Sequence, residues 1–172
     1  MQYRAIATCV SLVLFSQQLP ARGENLLVSQ IASASTAPAA ATAKEETQRV
    51  YEVLVKMLDR WNARDLDGLM SVYWKSPSLL AVIDTEQFDG WENLYRSYKN
   101  QCRNPTNMGI VNSTRVQVTL LEPDLAFGIV CWTMRYPENA HASEVVGTTT
   151  VDLEKFDSEW KIVVLHTSFT EM

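Results

Sequence analysis

The chain carries two histidines, His141 and His166, and an imidazole is the side chain that changes charge nearest neutral pH. His166 lies in the run from Trp160 to Phe169, where alternation groups it with Trp160, Ile162, Val164 and Ser168 on one strand face. There it can serve as a general acid or base, or bind a polar ligand; the plainer role is a satisfied histidine at a strand end or a dimer seam. Asp152 shares a strand face with Thr148, Thr150 and Glu154. It is either a buried carboxyl with a raised pKa or a solvated strand residue. Arg135 can hold an anionic group, or act as a surface or interface charge. Trp61, Trp91, Tyr95, Tyr98 and Trp132 can wall an aromatic ligand cavity, although aromatics at helical spacing are more often core. His141 falls in a polar loop and is expected to be exposed.

No trio of nucleophile, base and orienting group stands out, and neither G-x-S-x-G nor a Walker-type loop is present. A metal site needs clustered His, Cys or carboxylates, which the sequence does not group. The expectation is therefore a domain without cofactor or metal. Lys and Arg total 15 against 20 Asp and Glu, a formal charge of −5, which argues against a nucleic-acid partner. No apolar run reaches the 18 or so residues that a membrane-spanning helix needs.

The N-terminus has the order of an export signal. Arg4 precedes an apolar stretch from Ala5 to Phe15, and Ala21-Arg22-Gly23 places small residues at a cleavage site, so residues 1–23 read as a signal peptide. Residues 24–43, rich in Ala, Ser and Thr, read as a flexible linker that buries too little to offset its ordering. Residues 44–172 are then the folded domain, exported to a periplasm or the extracellular space and free of the membrane once the signal is removed. Cys102 and Cys131 remain in it; an oxidising compartment permits pairing, but two buried free thiols are the simpler expectation. Asn112-Ser113-Thr114 is a glycosylation sequon if the source is eukaryotic.

The elements that would position these groups follow from periodicity. Val50, Val53, Leu54, Met57, Leu58 and Trp61 make one stripe of a four-turn helix, which Asn62 can close in a left-handed conformation. Asp65 is a candidate N-cap for a short helix with Leu66, Leu69, Met70 and Tyr73 on its inner face. A strand over Leu79 to Ile83 follows. Asp89 and Glu92 then suggest a capping box for a third helix carrying Trp91, Leu94, Tyr95, Tyr98 and Cys102. Beyond it, alternation and turn signals predict an antiparallel meander, including Leu125 to Tyr136, apolar on both faces, and Glu144 to Phe156. Three helices before a meander belong to the α+β class.

Trp61-Asn62-Ala63-Arg64-Asp65-Leu66-Asp67-Gly68-Leu69-Met70 resembles the helix-break-helix signature of the SnoaL-like, nuclear transport factor 2-like superfamily. Phe88-Asp89-Gly90-Trp91 and the closing Trp160-Lys161-Ile162-Val163-Val164-Leu165-His166-Thr167-Ser168 agree in order, so the resemblance spans about residues 45 to 172. It implies a cone: three N-terminal helices over a curved antiparallel sheet, a pocket at the open end, and homodimers paired through the sheet. The superfamily includes ketosteroid isomerases, cyclases, dehydratases and binding or assembly domains, so fold leaves chemistry open. Matched without gaps, the isomerase base falls on Ala81 and its tyrosine on Met57, and only Asp152 keeps its carboxyl. Asp84, three residues past Ala81, faces the other side of a regular strand. Steroid-type isomerisation is disfavoured. The leading expectation is a small apolar or weakly polar ligand held in the cone. The rivals are a small cyclase, isomerase or dehydratase using His166 with Asp152 or Asp84, and a protein-assembly module.

Overall fold

The computed structural model describes residues 36–103, 108–136 and 144–171. The signal segment 1–23, the first part of the linker and the loop carrying His141 lie outside the described residues. Helix α1 runs Thr36–Asn62, α2 Leu66–Met70 and α3 Trp91–Cys102. The strands are β1 Leu80–Ile83, β2 Glu86–Asp89, β3 Ile110–Glu122, β4 Leu125–Arg135, β5 Glu144–Phe156 and β6 Glu159–Glu171. They form one curved, unclosed sheet in the order β2-β1-β6-β5-β4-β3, the α+β architecture that the resemblance implies.

Helix α1 starts eight residues ahead of the expected domain boundary at Lys44, taking in residues 36–43 of the expected linker. Alanine is the strongest helix former, and a proline as near the helix start as Pro38 costs no intrahelical bond. The stripe predicted from periodicity faces the sheet: Val50, Leu54 and Met57 are buried, and Val53, Leu58 and Trp61 pack at the margins of the core. Asp65 caps α2 as expected, accepting from the Gly68 N–H at 2.9 Å.

Other local expectations give way to tertiary contacts. The left-handed residue after α1 is Arg64 (φ 55), not Asn62. The Asn62 side chain is engaged elsewhere: its Nδ2 donates to the Val111 carbonyl and its Oδ1 accepts from the Val111 N–H, both at 2.8 Å. β3 is an edge strand, so this amide acts as the neighbouring strand that β3 lacks there. Trp61 Nε1 adds a bond to the Gly109 carbonyl at 3.1 Å. The capping box at α3 does not form either. Gly90 is the N-cap, at φ 85 and without a side-chain cap bond. The Gly90 and Trp91 N–H groups instead donate to the carbonyls of Leu79 (2.7 Å) and Ser76 (2.9 Å).

The sheet also departs from a pure meander. β2, which the sequence reading omits, forms a hairpin with β1, and β1 lies parallel to β6. The 72–74 segment extends that parallel contact, with Trp74 N–H donating to the Ile162 carbonyl and Ile162 N–H to that of Val72, each at 2.9 Å. Cys102 and Cys131 are free thiols, as the simpler reading holds, but partly exposed rather than buried.

Ten residues into α1, Glu46 ties the helix to the sheet, buried at 8 % exposure. It accepts from Trp160 Nε1 at 2.8 Å and pairs with Lys155 at 2.9 Å and Arg49 at 3.0 Å. The bonds from Lys155 and Trp160 hold this carboxyl below the ordinary carboxylate range.

Two predictions follow from these anchors. Asn62→Ala leaves two backbone groups of Val111 without their partner and should cost about 2 kcal/mol, read as a lower urea midpoint with unchanged m-value. Because Glu46 titrates lower in the folded chain than unfolded, its stabilisation is complete above the unfolded value near 4.3 and is lost as pH falls through its own lower pKa. Urea midpoints measured from neutral pH downward should therefore drop in that acid window, and Glu46→Gln should flatten the drop.

Candidate functional site

The concave side of the sheet and the helices enclose a cavity of about 150 Å³. Its helical wall is Met57, Leu58 and Trp61 from α1, Leu69 from α2, and Tyr98 and Gln101 from α3. Tyr73 enters from the 72–74 segment, which its bonds to Ile162 hold against β6. The sheet supplies Val111, Trp132, Met134, Thr149, Leu165, Thr167 and Phe169. Volume of this order admits a benzene-sized molecule.

Few polar atoms face this space, and they fall in two places. On the sheet wall Trp132 Nε1 donates to Thr149 Oγ1 at 3.0 Å, and the Thr149 and Thr167 hydroxyls meet at 2.9 Å. Trp132 lies across Gly147, where a Cβ would come within 2.3 Å of the indole ring. On the helical wall the Tyr73 and Tyr98 hydroxyls lie 3.5 Å apart. Trp61 stands edge-on to Tyr98 with ring centroids 5.8 Å apart. Burial pushes the Tyr73 phenol well above its ordinary pKa, reinforced by Tyr98, and burial raises Tyr98 as well. Burial, then the charge of Glu171, raises Tyr136 at the cavity margin. All three phenols are therefore protonated at neutral pH.

Of the residues singled out from sequence, Trp61, Tyr98 and Trp132 line the cavity. Trp91 and Tyr95 do not. They stack on each other at 5.0 Å, half-buried at the margin of the core, under Lys75 and Lys99 respectively. Trp91 borders a more open surface groove with Trp74 and Phe156. Arg135 is exposed and pairs with Glu144 at 3.4 Å. Asp84 sits exposed in the β1–β2 turn at φ 54, its N–H on the Thr167 carbonyl at 2.7 Å.

His166 is exposed, and Asp152 alternates out of phase with the buried Val151 and Leu153. Both belong to the outer face of the sheet. Unbroken alternation would group His166 with Trp160 and Ile162. The ladder pairs Asp152 with Val164 but Leu153 with Ile162, leaving Val163 as an extra residue. That bulge reverses parity, so Trp160 and Ile162 point inward before it, and Leu165 and Thr167 after it. His166 pairs with Thr150, which places it diagonal to Asp152 on adjacent strands. Tyr73, Gln101, Thr149 and Thr167 were not singled out as site residues. Tyr73 was legible only as a helix-face residue, and strand alternation alone would have put Thr149 opposite Thr148 and Thr150.

The sequence profile described as SnoaL-like domain matches residues 50–172. The chain belongs to the SnoaL-like domain family. Among solved structures it is similar to an NTF2-like protein of unknown function from Shewanella oneidensis, at 23% identity over 72% of this chain and 98% of that one, TM-score 0.64. It is also similar to the hexachlorocyclohexane dehydrochlorinase LinA-type3 from Novosphingobium barchaimii, at 16% identity over 77% and 94% of the two chains, TM-score 0.63. A cystatin-like fold protein from Burkholderia xenovorans matches at 18% identity over 74% and 94%, TM-score 0.61. At these identities the likeness is one of fold. No curated protein matches the chain.

Gly147→Ala should displace the Trp132 indole and break its bond to Thr149. The expected result is a loss of about 1–3 kcal/mol with a changed near-UV circular dichroism spectrum. An unperturbed spectrum would show that this seat does not hold the ring.

Proposed function

We propose that this SnoaL-like domain binds a small apolar or weakly polar molecule in its cone cavity, is exported, and pairs with a second copy through the outer face of its sheet. The observation that carries the reading is the cavity itself: about 150 Å³, walled by Trp61, Tyr98, Trp132, Met57 and Leu165. An assembly module would favour a solid core at this place. An apolar wall with few polar atoms is the usual composition of a small-molecule site.

The dimer is supported by the outer row of β4. Leu125, Phe127, Ile129 and Cys131 remain partly exposed there and alternate with the buried Ala126, Gly128 and Val130. Half-covered aliphatic and aromatic side chains across a central strand suit a second copy better than water. In such a pair His166 and Asp152 would lie at the seam, the plainer of the roles open to His166. Export is supported by the order Arg4, apolar Ala5 to Phe15, then Ala21-Arg22-Gly23.

Native mass spectrometry on freshly purified full-length protein from an exporting host tests all three parts. The expected species is a dimer of chains lacking residues 1–23, releasing a small molecule on activation. A monomer removes the pairing, an uncleaved chain removes export, and failure to take up either a host molecule or added toluene removes the ligand reading.

A further inference from the structure

We propose that the cavity selects a neutral molecule of about one ring in size bearing a group that both accepts and donates a hydrogen bond, a hydroxyl or a carboxamide, seated between the Tyr73–Tyr98 pair and Gln101. This rests on the small-ligand reading above and specifies its chemistry.

The tyrosine hydroxyls meet at 3.5 Å, and neither has another partner among the described residues. Two phenols carry two protons and their mutual contact uses one. One O–H is therefore left to donate, inside a cavity where Tyr73 is 2 % and Tyr98 8 % exposed. Gln101 lies three residues beyond Tyr98, one turn along the same face of α3, and lines the same cavity. Its Oε1 is shut off from solvent and accepts no hydrogen bond, the single buried side-chain oxygen or nitrogen so placed among the described residues. A spare donor and a spare acceptor thus belong to side chains that line one cavity, each costing free energy while unmet, and a turn of the Gln101 side chain brings its covered Oε1 to a ligand. A ligand hydroxyl or primary amide meets both: its oxygen accepts from the phenol and its hydrogen goes to Gln101.

Charge narrows the class further. Among the described residues, no Lys, Arg, His, Asp or Glu lines the cavity. A carboxylate would bring an uncompensated charge into an apolar space and has no proton for Gln101. A plain hydrocarbon would fit by volume while leaving the phenol and Gln101 unsatisfied.

Calorimetric titration of the full chain with toluene, benzamide and benzoate tests this. Benzamide should bind at least about tenfold more tightly than toluene, as two satisfied bonds imply, and benzoate more weakly than benzamide. Gln101→Leu should bring benzamide and toluene within about threefold of each other. Replacing both hydroxyls together, Tyr73→Phe with Tyr98→Phe, removes the spare donor, should narrow the gap in the same way and serves if the Gln101 variant does not fold. Equal affinities in the unmodified chain, a preference that survives both variants, or benzoate as the tightest probe overturns the proposal and leaves the cavity reading standing. No binding of any probe overturns the cavity reading itself.

Discussion

Everything on the concave side depends on how α1 is strapped across the sheet. In its N-terminal half Glu46 is gripped by Trp160 and Lys155, residues more than a hundred positions away in the chain. At its C-terminal end Asn62 completes the edge of β3 through paired bonds to Val111, and Trp61 reaches the Gly109 carbonyl. A helix of 27 residues has little reason to hold one orientation on a curved surface by greasy contact alone, since apolar burial is not directional. Directional bonds at two points along it, Glu46 and the Trp61–Asn62 end, set its angle.

That angle explains why a hollow exists. Leu54 lies so close to the sheet that a Cβ on Gly128 would come within 2.8 Å of it. One turn further on, Met57, Leu58 and Trp61 wall the cavity. The sheet curves away beneath them while the Asn62 clasp holds the helix end against β3 rather than letting it sink inward. Tyr73 and Tyr98 fill part of the space with rings that keep their hydroxyls inside, and the Trp132 indole fills another part by lying over Gly147. Close packing elsewhere makes the residual space meaningful, because interiors seldom leave voids of this size.

The distribution of charge follows the same geometry. Among the described residues the polar and aromatic lining is phenols, indoles, a carboxamide, two hydroxyls and thioethers, all neutral. The ionisable groups that first attract attention lie elsewhere: Asp84 in an exposed turn, Arg135 paired with Glu144, His166 and Asp152 on the outer face. Similarity in fold to a dehydrochlorinase thus goes with a described lining of neutral side chains.

The sequence by itself determined the α+β class, the apolar stripe of α1, the Asp65 cap and the last three long strands, because each is a local pattern whose period or spacing declares it. The family resemblance was legible for the same reason. Trp61, Asn62, Arg64 and Asp65 form a compact signature, although only the tertiary structure shows that Asn62 serves β3 rather than the helix end. Tertiary contacts alone decided which side of β6 faces inward. A single extra residue at Val163 reverses every side chain beyond it, and a bulge leaves no mark in a run as uniformly apolar as Ile162 to Leu165. They also decided which polar groups share the cavity: Tyr98 and Gln101 stand one turn apart on α3, but Tyr73 meets Tyr98 only because a segment bonded to β6 carries it there, which no spacing along the chain encodes.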